Sequence, residues 1–545
     1  MSSFYPESES VPGYAKGQQQ GNHYRSSSDD MVHGDAAAPD AYLEQLGYKA
    51  ELVRNRSTFQ VAFMSFVLAS IPYGLATTLL YPLTGGGMTC VIWGWLAVSM
   101  IIMCVAASLG EITSVFPTAG GVYYQTYMLS PHWCRRITAW ICGWNMVIGQ
   151  ITITLAVQYG TTLFLIGCIN IFTDAEGNPI FANTTYQTYL IFLGIVIVCN
   201  LISALGNRWL PILDTSAVAF TFVGVIALIV TILVLARGGR RSADFVFTDF
   251  TPQSGWTPGW SWMIGLLHAA YATSSTGMII NMAEEVRDPA AQIPKAMLGT
   301  VIANTIAGLV FLIPLMFVVP EVSELILNLQ PVPVIVAGAV GNQGGAFALM
   351  IPILALAVVC GVGCTTACAR CIYSFARDEA IPGFQLWKKV NRKLDVPFNA
   401  MMLSMVVQLL LGLLTFGSSA AFNAFSGVGV IALTLSYAMP IAVSLIGGRT
   451  YVKSARFYLG KIGVVCNVVA LAWTLLVIPL FCMPSVIPTS LSLMNYASVV
   501  FVGFITISAV WYLVYGKKHY SGPPTHQGSI PAIIGDNTLA KGHSN

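Results

Sequence analysis

The stretch from Trp260 to Pro294 reads WSWMIGLLHAAYATSSTGMIINMAEEVRDPAAQIP, and it is the most informative segment for the fold. It begins as an apolar, aromatic-rich helix that five small residues, Thr273–Gly277, interrupt before apolar residues resume. A helix in lipid must satisfy its own backbone hydrogen bonds. Hydroxyl side chains compete for those bonds, and glycine lowers the cost of unwinding. The stretch predicts a membrane helix broken at Thr273–Gly277, and a continuous helix with a small-residue packing face is the alternative.

The composition is that of a membrane protein. Of 545 residues, 55% are hydrophobic and 9% are charged, whereas a soluble domain carries about 25% charged residues. Many apolar segments approach the length of about 20 residues that crosses a bilayer core. We therefore predict an all-α polytopic membrane protein with twelve spans. Their approximate bounds are 59–83, 88–115, 136–169, 187–206, 211–236, 260–283, 296–319, 346–370, 399–417, 422–446, 462–482 and 495–515.

The distribution of basic residues predicts the orientation. Of the 26 Lys and Arg residues, 23 lie in the tails and loops on one side, and the other side holds Arg237, Arg240 and Arg241. The positive-inside rule then places both termini in the cytosol. Polar segments 1–45 and 518–545 are predicted as disordered cytosolic tails that flank a twelve-helix domain over 46–517. The same orientation leaves the Asn183 sequon outside, where we expect glycosylation.

A second interruption lies in span one, at Ser70-Ile71-Pro72-Tyr73-Gly74. Pro72 removes a backbone donor and clashes with the preceding turn. Spans one and six are five spans apart, so they enter the membrane from opposite sides. Interrupted helices in corresponding positions of two halves predict a transporter site between inverted repeats. Two unrelated kinks are the alternative.

Other chemical functions find little support in the sequence. Cys360, Cys364, Cys368 and Cys371 follow one helix face, but no His or carboxylate joins them, which favours a packing stripe over a metal site. The chain has no phosphate loop and no metal-spaced His cluster, so we expect neither an enzyme nor a cofactor. We expect membrane lipid around the spans and no nucleic-acid partner. A channel and a transporter-like sensor remain alternatives.

Three motifs resemble those of a known superfamily. Ser108–Tyr123, SLGEITSVFPTAGGVY, resembles the G-E-[IL]-x-S-x-x-P-x-x-G-G-x-Y hallmark of the amino acid–polyamine–organocation permeases. Glu284–Ala296 is similar to their E-E-x-x-x-P-x-x-x-x-P-x-A signature. Arg377–Pro382 resembles their R-D-G-x-[IL]-P loop, with Glu379 where glycine is usual. The match extends over nearly all of residues 55–515.

Within that superfamily, the segments Phe416–Asn423 and Leu386–Asn391 are most similar to the fungal amino acid/choline branch, which includes choline and GABA permeases. The resemblance implies a LeuT-type fold, with inverted repeats at about 59–236 and 260–446 and two extra helices at about 462–515. It also implies secondary active uptake at the plasma membrane, and we expect a proton as the coupling ion.

The substrate is expected to be a small amine. No Asp, Glu, Lys or Arg interrupts the middle of spans one, three, six or eight, so aromatic faces such as that of Trp140 would meet a cation. Pro72 removes one amide that would otherwise bind a carboxylate, which favours a choline-like amine. GABA or another amino acid is the alternative substrate, because Gly74 and Thr273–Gly277 can bind a carboxylate. The predicted substrate-binding residues are Ser70, Pro72, Tyr73, Gly74, Trp144, Tyr271, Thr273, Ser274, Ser275, Thr276 and Gly277.

Charged residues at the cytosolic helix ends are candidates for a gate or for ion coupling. Glu111, Glu284 and Glu285 are the carboxylates, and Lys295 and Arg377 are the expected basic partners. Intramembrane ionisable residues usually pair and mark functional sites. Structural ion pairs or solvated helix ends are the alternative.

Overall fold

The computed structural model describes residues 58–174, 176, 178–181, 184–391, 393–417, 420–490 and 494–524. The predicted tail over 1–45, residues 525–545 of the other tail, and Asn183 lie outside the described residues. The described chain is helical apart from loops and two isolated β-bridges, Thr173–Pro179 and Asn391–Val396. The predicted all-α membrane fold is confirmed.

Eleven helices in the described ranges are long and apolar enough to cross a membrane. The one predicted span that is not among these eleven helices is span one. It is divided among Thr58–Ala69, Ile71–Thr78 and the start of Leu80–Val115. That last helix kinks at Gly86 and Gly87, so it holds the end of span one and all of span two. Gly87 has φ 63° and ψ −146°, a conformation that glycine adopts readily.

The other spans keep the predicted order, and we retain their numbers below. Spans three to five are Arg135–Ile169, Thr185–Leu205 and Leu210–Leu235. Span six is built from Pro258–Gly265, Leu267–Thr273 and a 3₁₀ segment, Ser274–Glu285. Spans seven to twelve are Pro289–Phe317, Gln343–Arg377, Phe398–Gly412 with the 3₁₀ turn Leu413–Phe416, Ala421–Ile446, Lys461–Leu480, and Ala497–Trp511 with its extension to His519.

Span three lies at the centre of the bundle and packs tightly against span ten. A Cβ atom added at Gly149 would lie 2.8 Å from the backbone nitrogen of Leu433, and one at Gly429 would lie 3.1 Å from that of Ile153. Small residues let two membrane helices approach this closely. Spans five and twelve lie at the periphery and expose apolar side chains such as Phe222, as expected of a surface that faces lipid.

The chain beyond span twelve packs on the bundle, in a segment predicted as tail. Tyr520 is buried, with its ring 5.0 Å from that of Trp140. Burial raises the pKa of the Tyr520 hydroxyl well above its usual value. The hydroxyl of Tyr127 donates to the carbonyl of Ser521 at 3.4 Å. Ordered packing therefore continues to at least Gly522, where the backbone φ is 87°.

Candidate functional site

The break in span one is centred on Ser70. This residue adopts a left-handed conformation, with φ 42° and ψ 53°, between Thr58–Ala69 and Ile71–Thr78. In a continuous helix, the carbonyl of Leu68 would accept a hydrogen bond from the nitrogen of residue 72. That residue is Pro72, which has no N–H. The break therefore leaves the Leu68 carbonyl without its helical donor.

Two other spans donate to this carbonyl. The hydroxyl of Ser275, on span six, donates to the Leu68 oxygen at 2.8 Å. The thiol of Cys360, on span eight, donates to the same oxygen at 3.7 Å. Because an unpaired carbonyl is costly away from water, this oxygen joins spans one, six and eight.

Span six differs from the predicted broken helix. It passes from α-helix to the 3₁₀ segment Ser274–Glu285 without an extended residue between them. The hydroxyls of Thr273, Ser274 and Thr276 donate to carbonyls of the preceding turn at 2.7–2.8 Å. These local bonds satisfy the hydroxyl groups within the helix, so the small-residue run tightens span six instead of unwinding it. A long 3₁₀ stretch is uncommon and often marks a hinge.

A small cavity lies where the two interrupted spans meet, with a volume of about 10 Å³. Its walls come from spans one, three, six and eight. Gly74 permits the close approach of spans one and six, since a Cβ added there would lie 3.2 Å from that of Ala272. The lining residues are Leu68, Ala69, Tyr73, Gly74, Ile153, Val157, Tyr271, Ala272, Ser274, Ser275, Cys360 and Cys364.

Five predicted substrate-binding residues line this cavity: Tyr73, Gly74, Tyr271, Ser274 and Ser275. The other six lie around it or away from it. Ser70 and Pro72 form the break, and the side chains of Thr273 and Thr276 are absent from the lining.

Gly277 and Trp144 also lie outside the lining. A Cβ added at Gly277 would lie 2.6 Å from the ring of Tyr437, so this glycine serves the packing of spans six and ten. Trp144 packs against Trp140 and Phe375, with ring centroids 6.2 and 6.3 Å apart. The structure therefore places Trp144 in an aromatic cluster on spans three and eight.

The two cavity tyrosines differ in what their hydroxyls do. The hydroxyl of Tyr73 donates to the carbonyl of Val157 at 2.6 Å and lies 2.9 Å from the Thr161 hydroxyl. The hydroxyl of Tyr271 is buried and has no hydrogen-bond partner among the described residues. Its ring meets Phe422 edge-on at 6.0 Å. The Tyr271 hydroxyl therefore makes no hydrogen bond within the described structure, whereas that of Tyr73 ties span one to span three.

Three residues of this region are not among the predicted site residues: Cys360, Cys364 and His268. Cys360 and Cys364, predicted as part of a packing stripe, line the cavity; small polar side chains on one helix face are the sequence signal for them. In the described part of the chain, no group of three His, Cys, Asp or Glu is placed to hold a metal ion.

His268 of span six is a further residue that the sequence predictions omit, although an ionisable residue inside a spanning helix is a functional-site signal. Its Nδ1 lies 3.0 Å from the hydroxyl of Thr78.

The end of the bundle that carries the loops after spans two, six, eight and ten is called the basic end below. There, Glu111 pairs with Arg449 at 2.5 Å, and both side chains are buried. The other carboxylate oxygen of Glu111 accepts from the backbone nitrogen of Leu459 at 2.7 Å. Charge-assisted hydrogen bonds of this kind are roughly twice as strong as neutral ones.

Two further ion pairs join span six to span eight, and both of their glutamates are buried. Glu285 pairs with Arg370. Glu284 pairs with Arg377 at 3.2 Å and accepts from the backbone nitrogen of Ala119 at 3.2 Å. Lys295 is exposed and joins none of the ion pairs seen between described residues. Removing one partner of a buried pair typically costs about 3–5 kcal/mol, so these pairs hold the basic end together.

A comparison with known protein families identifies the chain. A family model described as amino acid permease matches residues 57–505. The chain belongs to the amino acid permease family. The superfamily resemblance carried by the three motifs is therefore confirmed.

Relatives of this permease match over most of their length. An uncharacterized amino-acid permease of Schizosaccharomyces pombe is 31% identical over 492 residues, which cover 89% of each chain. A choline transporter of Saccharomyces cerevisiae is 28% identical over 495 residues, covering 90% of this chain and 85% of the relative. A GABA-specific permease of the same yeast is 28% identical over 493 residues, covering 89% and 85%. The permease motifs contain Glu111, Glu284 and Glu285, the carboxylates of the three ion pairs described above.

Proposed function

We propose that this permease imports a small amine across the plasma membrane by alternating access, driven by the proton-motive force. Choline-like amines are the first candidates. The observation that carries the proposal is the cavity between the two interrupted spans. Its lining contains no Asp, Glu, Lys or Arg, yet it combines the tyrosine rings with hydroxyl and thiol groups. Recognition of an ammonium group there relies on dipoles and ring faces rather than on a counter-ion.

Two features of the cavity suit an ammonium group. Leu68 and Ala69 lie at the carboxyl end of the half-helix Thr58–Ala69, where the helix dipole is negative. Tyr271 lines the cavity with an aromatic side chain, and a cation over an aromatic face gains about 0.5–2 kcal/mol. An ammonium bound between them would be stabilised from both sides.

A carboxylate-bearing amine such as GABA is the second candidate. The free hydroxyl of Tyr271 can donate to a carboxylate. The half-helix Ile71–Thr78 begins beside the cavity, and helix amino ends favour negative charge. Sequence identity does not decide between the two classes, because the choline transporter and the GABA-specific permease are each 28% identical to this chain.

Transport requires the cavity to enlarge. Its volume of about 10 Å³ is on the order of one water molecule, far below that of any amine substrate. We assign the three ion pairs of Glu111, Glu284 and Glu285 at the basic end to an inner gate, which separates when substrate leaves toward the cytosol. Spans one to five and six to ten would move as inverted repeats, and no enzymatic step is required.

The test is a radiolabelled uptake panel in a transport-deficient fungal host, with choline, GABA, polyamines and amino acids. Tyr271→Leu should lower the apparent affinity for the carried amine by about threefold to thirtyfold, as the cation–ring energy implies. Tyr271→Phe should keep most of the affinity. Tyr186→Leu, at an exposed tyrosine, is the matched control. If Leu and Phe at position 271 behave alike in protein that reaches the cell surface, ring recognition is wrong.

A further inference from the structure

His268 lies one helical turn before Tyr271 on span six, and its side chain is buried. Its Nδ1 is 3.0 Å from the hydroxyl oxygen of Thr78 on span one. That hydroxyl in turn donates to the carbonyl of Gly74 at 2.7 Å. Both Gly74 and Tyr271 line the cavity. The imidazole is therefore linked through Thr78 to Gly74, a residue of the cavity wall.

These contacts favour one tautomer of the ring. A threonine hydroxyl has one hydrogen, and that of Thr78 is donated to the Gly74 carbonyl. With the hydroxyl hydrogen in that bond, the imidazole Nδ1–H is the donor in the contact with Thr78. The neutral ring therefore carries a bare lone pair on Nε2. This nitrogen is buried and has no partner among the described residues.

The surroundings of the ring lack a counter-charge. The helix Leu267–Thr273 packs against Ile71–Thr78, Leu80–Val115 and Ala421–Ile446. On its own span the titratable groups are Tyr271, Glu284 and Glu285, and the two glutamates are ion-paired. The only charged side chain on the packed helices is Glu111, which pairs with Arg449 at the basic end. The titratable side chains of those three helices are Tyr73, Tyr81, Cys90, Cys104, Glu111 and Tyr437.

We propose that Nε2 of His268 is the proton-binding site of the substrate cavity, and that its protonation selects a carboxylate-bearing amine over a quaternary ammonium. The inference rests on the proposed function. An imidazolium without a nearby carboxylate is costly in a buried site. A substrate carboxylate at Tyr271 and Gly74 would supply the missing negative charge, whereas a quaternary ammonium would add a second positive charge.

Binding linkage makes this selection reciprocal: a proton that favours the carboxylate substrate is itself favoured by that substrate to the same extent. GABA should therefore enter together with a proton. Choline carries a permanent charge, so the membrane potential drives its entry through the neutral form of the site. External acidification is expected to raise GABA uptake and to lower choline uptake through the same permease.

The experiment compares initial rates of labelled GABA and labelled choline uptake at external pH of about 7 and about 5. His268→Asn keeps an N–H donor near Thr78 and removes the titrating nitrogen. His519→Asn, at an exposed histidine, is the matched control. Thr78→Val removes the partner of Nδ1 while the histidine stays. Rates are corrected for the amount of protein at the cell surface.

In the wild type and in His519→Asn, the ratio of GABA to choline uptake should rise by about fivefold or more on acidification, the scale of a typical coupling between two ligands. In His268→Asn, GABA uptake should fall, because the proton that favours it can no longer bind, and the ratio should be independent of pH. A pH response equal to the wild type in His268→Asn overturns the inference, and so does loss of both uptakes in protein that reaches the surface. Uptake of neither probe by the wild type overturns the proposed function and this inference together.

Discussion

The hydroxyl of Ser275 donates to the carbonyl oxygen of Leu68 at 2.8 Å. Pro72, one turn further along span one, is the residue that cannot make this bond. The proline of span one thus leaves a carbonyl without its helical donor, and a serine from the small-residue run of span six donates to it. A direct hydrogen bond therefore joins the interrupted regions of spans one and six.

Ser275→Ala should destabilise the junction of spans one and six. A buried acceptor that loses its donor costs about 1–3 kcal/mol, since the thiol of Cys360 at 3.7 Å is a weak replacement. We expect a lower thermal midpoint of the purified protein and slower uptake. Ser274→Ala is the matched control, because that hydroxyl donates only within its own helix. Equal effects of the two substitutions would contradict the special role of the Leu68 carbonyl.

Loss of the hydroxyl should change the free energy of unfolding differently at the two cavity tyrosines. Tyr73→Phe removes donation to the Val157 carbonyl and should lower the unfolding free energy by about 0.5–1.5 kcal/mol. Tyr271→Phe removes a hydroxyl that has no partner among the described residues, so stability should stay or rise. Thermal unfolding of both variants checks the contrast. A Tyr271→Phe protein less stable than Tyr73→Phe would speak against this assignment.

Gly463 leaves room for the ion pair of the proposed inner gate. A Cβ added there would lie 2.7 Å from the Glu111 carboxylate and closer still to the guanidinium of Arg449. Gly463→Ala should therefore displace the pair, with reduced uptake and stability. Gly299→Ala adds the same atom where no other atom lies within 4 Å, and its alanine should be neutral or stabilising by up to about 1 kcal/mol. Similar behaviour of the two variants would rule out the pair as the cause.

The orientation stays a prediction from the basic residues, and glycosylation tests it. If the loop that contains Asn183 lies outside, glycosidase treatment should shift the protein on a gel, and Asn183→Gln should remove that shift. Epitope tags at both termini should become accessible only after the cells are permeabilised. A terminal tag detected on intact cells would overturn the cytosolic placement of the termini.

The fold was largely predictable because a membrane restricts the available structures to helices of a fixed length. Pro72 predicted the break in span one correctly, since it acts through covalent geometry alone. Thr273–Gly277 did not unwind, because their hydroxyls found carbonyls in the preceding turn. That outcome depends on the helix geometry around them, which residue type does not reveal.

The sequence by itself determined the helical membrane class, the order of the spans and the motifs that identify the permease family. These follow from properties of consecutive residues, namely apolar length, proline and local motif spacing. The tertiary structure decided which residues share the cavity, which tyrosine keeps a free hydroxyl, and which arginine pairs with each glutamate. The Glu111–Arg449 pair joins residues 338 positions apart. Such pairings depend on how helices pack, because the partners are distant along the chain and many arginines are compatible with each carboxylate.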